Sequence, residues 1–250
     1  NNRISNQTYE FYNIFRDKNT NIHAQNQQKI SHKYNTSNEF IKFNSKISIK
    51  SSIYNQIFTT ENKLLETNKY HTGSYYRIFP IFGTSIESPF KIKKLKSNLT
   101  FKPLTQLVIT PGISNSNKLS NEDSTNNNFS LENINRLNRY AGTDKMDNSK
   151  RVSYGVSAYS DVFKLNLFQL YEFTENSNFH KDQGNETNLS DLIGSIEYLN
   201  KTELKYNFRY NMNSKYLKSQ SLKYQTKTKI GDLELTYIDQ NSKKDNIITN

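Results

Sequence analysis

Residues 203–212 read Glu-Leu-Lys-Tyr-Asn-Phe-Arg-Tyr-Asn-Met. Leu204, Tyr206, Phe208, Tyr210 and Met212 share one parity, and Glu203, Lys205, Asn207, Arg209 and Asn211 share the other. Side chains of a strand point alternately to opposite faces, so this segment has one greasy face and one wet face. Residues 162–173 repeat the pattern, with Phe163, Leu165, Leu167, Tyr171 and Phe173 against Lys164, Asn166 and Glu172. So do residues 40–54, with Ile41, Phe43, Ile47, Ile49 and Ile53 against Lys42, Asn44, Lys46, Ser48 and Lys50. Aromatic-rich strands of roughly ten residues joined by polar turns suit a membrane-spanning β-barrel.

Composition narrows the alternatives. The chain has 250 residues, of which 33% are hydrophobic. A soluble domain on a similar count sits near 45–50%, too much apolar surface for this chain to match with a two-layer core. Low hydrophobicity with a net charge of +11 also fits disorder. Yet 13% aromatics, with 17 Tyr and 15 Phe, is strand composition. A water-filled barrel reconciles the two, because it buries one face of each strand and keeps the other wet.

No run approaches the length of a transmembrane helix, and no signal-peptide pattern opens the chain. The absence of Cys excludes disulfides and thiolate metal sites. The Lys excess accompanies Asn, Ile, Tyr and Phe, all read from A/T-rich codons. A polyanionic partner is the functional alternative. Nucleic acid is not expected, because the Lys residues alternate with apolar ones and no nucleic-acid-binding motif is present.

The alternation predicts strands near 4–15, 27–34, 39–58, 73–93, 96–110, 151–160, 162–174, 190–200, 202–213, 216–228 and 230–239. Short turns such as Ser160-Asp161, Asn200-Lys201 and Gly231-Asp232 join several of them, which implies an up-and-down antiparallel meander. The expected fold class is therefore an all-β, antiparallel up-and-down transmembrane barrel segment, about 11–12 strands of a larger, incomplete barrel. Residues 1–250 belong to one barrel domain on this reading, with 111–150 as a long loop and one short helical turn within 131–140. Counting strands puts 111–150 and 175–189 on one side and the turns at 160 and 200 on the other.

Catalytic and metal signals are weak. His23, His32, His71 and His180 show no metal-ligand spacing. His71 near Ser74, or His180 near Asp182, would be needed for a hydrolase at a barrel rim, and polar loop residues account for both. Asn121-Glu122-Asp123 with Asp144 and Asp147 puts carboxylates in one loop, without calcium-loop spacing. No metal, no cofactor and no enzymatic activity are expected.

Several stretches carry a family resemblance. Leu99 to Pro111 reads Leu-Thr-Phe-Lys-Pro-Leu-Thr-Gln-Leu-Val-Ile-Thr-Pro; Asn121-Glu122-Asp123-Ser124 follows. Then come Asn138-Arg139-Tyr140-Ala141-Gly142-Thr143-Asp144-Lys145 and Arg151-Val152-Ser153-Tyr154-Gly155-Val156. These segments resemble the lipopolysaccharide-assembly outer-membrane family LptD, also called the organic solvent tolerance family. Lys145 stands where that family usually has Arg. Phe79-Pro80, Pro89-Phe90 and the strands of 162–210 extend the likeness over about 70–240.

The resemblance implies a large barrel in the outer membrane of a Gram-negative bacterium. Such a barrel accepts lipopolysaccharide from periplasmic bridge proteins through an N-terminal domain that this chain does not include. It delivers the lipid to the outer leaflet around a lipoprotein plug, LptE. Asn121, Glu122, Asp123, Arg139, Gly142 and Asp144 become a loop signature that is structural or touches the partner, with Arg139 placed to pair with Asp144 or Glu122. Gly142 is expected to permit a turn that a side chain would forbid. Lys42, Lys46, Lys50, Lys205 and Arg209 become lumen-facing bases for lipopolysaccharide phosphates, while Ile49, Phe163, Leu165, Tyr206 and Phe208 face membrane lipid. The 111–150 loop is expected to fold inward over the lumen. The alternatives are another porin or transporter barrel, an outer-membrane hydrolase and a soluble β-sandwich binding module.

Overall fold

A computed structural model describes residues 2–20, 22–92, 98–125, 129–174, 188–200, 202–227 and 231–240. Its strands are β1 (Asn2–Phe15), β2 (Asn26–Lys42), β3 (Ser45–Leu64), β4 (Tyr70–Glu87), β5 (Phe90–Ile92) and β6 (Leu99–Ile109). They continue as β7 (Lys150–Tyr159), β8 (Phe163–Glu172), β9 (Leu192–Leu199), β10 (Thr202–Asn211), β11 (Tyr216–Lys227) and β12 (Asp232–Gln240). All belong to one 12-stranded sheet in the order β1-β2-β3-β4-β6-β7-β8-β9-β10-β11-β12, with β5 on β6. Each neighbour is antiparallel to the last, as the alternation predicts. Among the described residues β1 and β12 do not pair, so the sheet is open.

Three strand expectations in the N-terminal half are corrected. The stretch 39–58 is not one strand, and 27–34 is only part of another. The chain reverses at Phe43 and Asn44, whose φ values of 51° and 60° make the two-residue turn that suits the twist of a hairpin. Lys42 then pairs with Ser45, Ile41 with Lys46 and Phe40 with Ile47. Paired residues share a face, so the turn inverts the parity: Ile41 shares the face of Lys46, not that of Ile47. The 73–93 run divides into β4 and the three-residue β5. Residues 131–135 form turns, with Asn133 N–H and Ile134 N–H both donating to Ser130 O, a single helical turn within the expected 131–140.

The register assigns every side chain to a face. On β3 and β4 one face carries Ile47, Ile49, Ile53 and Ile57 with Ile86, Phe82, Ile78 and Tyr76. Tyr76 is 60% and Phe82 46% exposed, a contiguous apolar surface of the kind soluble monomers do not leave in water. The same face continues through Phe101, Ile109, Tyr154, Tyr171, Ile196, Tyr198, Leu204, Leu222 and Leu235, all exposed. On β3 the band runs from Ile47 to Ile57, the length of strand that crosses a hydrocarbon core. The other face carries buried polar residues, among them Ser48, Ser52, Gln56, Thr60, Arg77, Gln106, Arg151, Ser153, Glu172 and Ser195, interspersed with buried Tyr54, Phe58, Phe79, Ile81 and Val108. They are buried because residues 110–149, between β6 and β7, lie across much of this inner face.

Two apolar clusters hold that connection down. Met146 packs among Tyr54, Phe79, Ile81 and Val108, with Leu137 at its margin. Phe129 and Ile134 pack among Phe168, Leu170 and Ile193, with Leu104 and Leu131 beside them. Phe168 and Leu170 sit on the wet parity of β8, so the loop supplies the apolar partners that the alternation alone leaves unexplained.

Candidate functional site

The inner face under the 110–149 connection is the most elaborate polar site of the described chain. Its first centre is Lys29 on β2, whose side chain is fully buried. Lys29 Nζ donates to Asp123 Oδ2 at 2.5 Å, Thr143 Oγ1 at 2.8 Å and Asp144 Oδ1 at 3.0 Å. Glu10 on β1 lies 3.2 Å away. A buried ammonium needs this many acceptors, because burying it unpaired costs several kcal/mol. Asp144 also accepts from Tyr12 Oη at 2.9 Å and from Glu122 N–H at 2.7 Å. Asp123 accepts from the N–H groups of Thr143 and Asp144. The two halves of the signature thus clasp each other over one cation.

Burial and the neighbouring Asp123 carboxylate push Asp144 above the usual carboxylate range. Burial also opposes ionisation of Asp123, but the hydrogen bonds from Lys29 and from Asp144 N–H hold it below that range. Of the loop carboxylates weighed in the sequence as oxygen ligands, Asp123 and Asp144 converge on an ammonium group, while Glu122 and Asp147 meet guanidinium groups. Among the described residues no group of three His, Cys, Asp or Glu is arranged to hold a metal ion.

Gly142 is needed for close approach, not for a left-handed turn. A Cβ there would lie 2.3 Å from Asp123 O and 2.4 Å from Asp123 Oδ1. Nearby, Arg77 on β4 and Gln56 on β3 both donate to Thr143 O, at 2.7 and 3.0 Å. Glu122 reaches the other way, to Arg16 just after β1, with 3.0 Å between Arg16 Nη1 and Glu122 Oε1. Asn121 closes a local turn, its Oδ1 accepting from Ser124 N–H at 3.1 Å.

The second centre is Arg139. Its pairing differs from expectation: the partners are Asp147 and Glu172, not Asp144 or Glu122. Arg139 Nε donates to Asp147 Oδ2 at 2.6 Å, and its Nη2 donates to Asp147 Oδ1 at 3.0 Å and Glu172 Oε1 at 2.6 Å. The planar guanidinium suits this fork. Burial alone would lower the Arg139 pKa, but the two carboxylates hold it above the usual range. Arg151 on β7 donates to Asp147 Oδ2 at 2.9 Å, and Ser149 Oγ to Glu172 Oε2 at 2.6 Å. Glu172 comes from β8, so the centre ties the return of the loop to the wall. The sequence gives no hint of Lys29, Arg77, Arg151 or Glu172 as partners of the signature, because strand pairing brings them there, whereas Asp147 lies in the same loop as Arg139.

The expected lumen-facing bases divide. Lys46, Lys50, Lys205 and Arg209 lie on the inner face. Lys42, inverted by the Phe43-Asn44 turn, lies on the opposite face from Lys46. Lys46 stands 2.8 Å from Glu39, Lys205 3.0 Å from Glu197 and Arg209 3.4 Å from Asp191. These cations meet carboxylates of the wall itself. Ile49, Phe163, Leu165, Tyr206 and Phe208 lie on the outer face. His71 sits at the end of β4 opposite Lys63, its ring close over Gly73. His180 and Asp182 fall outside the described residues.

At the edge of the loop, the inner face of β8 to β12 borders a cavity of about 720 Å³ lined also by Phe129, Leu131 and Glu132. No curated protein matches the chain. A family model described as LptD, LPS transport system D, matches residues 3–249.

Proposed function

The chain belongs to the LptD family of lipopolysaccharide transport proteins, and from that premise we propose that it is wall and luminal loop of an outer-membrane translocon. The translocon passes lipopolysaccharide into the outer leaflet. The observation that carries this reading is the division of the sheet. An apolar band of bilayer height runs exposed along the outside, while the inside carries buried charged and amide side chains together with the two apolar clusters that seat the loop. A soluble sandwich would pack the apolar face on a second sheet. A rim hydrolase would need a nucleophile beside a base, whereas the carboxylates and cations of this site neutralise one another. We therefore read the role as non-enzymatic.

The signature residues act as a clasp that seats the loop, with Asn121, Glu122, Asp123, Gly142 and Asp144 around Lys29 and Arg139 around Asp147 and Glu172. The lipoprotein LptE meets the seated loop from the lumen, where Arg136 and Ala141 are exposed. Periplasmic bridge proteins engage the remainder of the translocon. Depletion of the full-length protein tests the reading: newly made lipopolysaccharide should stop reaching the cell surface and accumulate inside it. Photo-crosslinkers at Arg136 and Ala141 should capture the lipoprotein. Normal surface arrival after depletion would overturn the function, and crosslinks to lipid alone would overturn the placement of the plug.

A further inference from the structure

The inner faces of β7 to β11 carry a row of alternating small hydroxyls and amides. Strand register places Ser157, Asn166, Ser195, Asn207 and Ser221 side by side, one per strand. Ser157 Oγ donates to Asn166 Oδ1 at 2.8 Å, and Asn166 Nδ2 donates to Ser195 Oγ at 3.0 Å. Asn207 Nδ2 donates to Ser221 Oγ at 3.1 Å. Asn166, Asn207 and Ser221 are half-buried and border the 720 Å³ cavity, whose volume is that of a small-ligand site. The row runs from under the loop, where Ser195 is buried, out along the wall beside Phe129 and Leu131.

The cations around it are already answered. Lys164 and Lys205 both reach Glu197, at 3.4 and 3.0 Å, and Lys223 reaches Glu234 at 3.1 Å. Arg209 and Lys218 lie 3.4 and 4.0 Å from Asp191. A wall built to hold phosphate would leave its positive charge uncompensated for the ligand. Each of these cations lies within 4.0 Å of a wall carboxylate, and the wall is rich in groups that both donate and accept hydrogen bonds. Sugar hydroxyls have the same double character.

We infer that the Ser157–Asn166–Ser195–Asn207–Ser221 row is a contact site for the uncharged, hydroxyl-rich saccharide of the transported glycolipid, recognised by amides and hydroxyls and not by charge. The inference rests on the lipopolysaccharide reading and deepens it. Ladder hydrogen bonds are exchanged for ones to sugar hydroxyls, so each contact is weak and the saccharide is not trapped. Phe129 and Leu131 offer apolar surface to the faces of the sugar rings.

The test is a photo-crosslinker at Ser219, which borders the same cavity, in the full-length protein in cells. Controls carry the crosslinker at Lys33 elsewhere on the inner face and at Ile78 on the outer face. Capture of lipopolysaccharide at Ser219 should fall about fivefold with Asn207→Leu or Ser221→Ala and change little with Lys205→Gln. Ser221→Ala keeps the test sound if the bulkier change hinders assembly. In detergent-solubilised protein, purified lipopolysaccharide should be captured equally at low and high salt, and inorganic phosphate should not compete. A lipopolysaccharide trimmed to its lipid anchor should be captured poorly. Equal capture of the trimmed form, competition by phosphate, or loss with Lys205→Gln but not with Asn207→Leu would overturn the inference. Capture at Lys33 with none at Ser219 would overturn it too while leaving the transport reading intact. The transport reading fails separately, by normal surface arrival after depletion.

Discussion

Replacing Lys29 by Met should unseat the 110–149 loop without unfolding the strands. Met keeps the length of the side chain and removes the charge, leaving Asp123 and Asp144 facing each other without their shared cation. Removing one partner of a buried ion pair costs about 3–5 kcal/mol. The lower end applies here, because Asp123 retains 23% and Glu10 42% of their side-chain exposure and water answers part of their charge. About 3 kcal/mol is roughly a hundredfold in the docking equilibrium. Amide hydrogen exchange in the full-length protein in micelles reads this directly. The N–H groups of Thr143 and Asp144, which donate to Asp123, should exchange about a hundredfold faster, while those of β6 and β7 keep their protection. Adding Asp123→Asn and Asp144→Asn should restore part of the protection, since a neutral site no longer strands charge. Unchanged exchange at Thr143 and Asp144 in the single variant would refute the clasp. So would loss of protection in the loop and strands together, because the loop would then not be a separately docked unit.

Three further outcomes are expected. Gly142→Ala should loosen the same amides more than Gly83→Ala does, because a Cβ at 142 meets backbone at 2.3 Å whereas one at 83 meets the flexible end of Leu137 at 2.4 Å; equal effects in hydrogen exchange would contradict this. Phe82→Arg puts a charge near the middle of the outer band at a cost of about 2–4 kcal/mol, while Ser85→Arg on the inner face should assemble normally; heat-modifiable gel mobility of the two variants distinguishes them. Loop protection, corrected for intrinsic exchange, should be greatest in mild acid. The raised Asp144 firms the docking as pH falls through its value, and the depressed Asp123 gives up its contribution only below the ordinary carboxylate pKa of about 3.9. Monotonic loss of protection starting near neutrality would contradict that order.

The period of two made the sheet legible, and strands such as β10 follow it closely. It misled at Phe43-Asn44, where an aromatic residue continued the alternation through a turn. The signal was Asn44, a residue that tolerates positive φ, yet nothing local distinguishes it from Asn44 in a strand. One misread turn was enough to put Lys42 and Ile41 on the wrong faces relative to Lys46. The loop signature could be picked out by resemblance, but its partners could not. Tyr12 and Asp144 are separated by 132 positions and Lys29 and Asp123 by 94. Arg139 was assigned to loop carboxylates within reach in sequence, whereas strand order delivers Glu172 from β8. The inward fold of the loop was legible only as length; the wet-parity Phe168 and Leu170 were the unread sign that something apolar would cover them.

The seated loop also has a mechanical meaning. It is anchored covalently between β6 and β7, yet it grips the first hairpin through Tyr12, Arg16 and Lys29 and the far side through Glu172 and Ile193. It crosses the inner face of the sheet as a tie rod spans an arch. Any change of curvature between β1 and β9 must stretch this rod and break buried ion pairs, so that arc of the wall is stiff. Among the described residues the clasp and its apolar clusters reach as far as β9, and β10 to β12 follow by edge-to-edge pairing. Elastic deformation of the wall, whatever load drives it, is therefore concentrated in β10 to β12, and a bulky cargo moving past would be accommodated there.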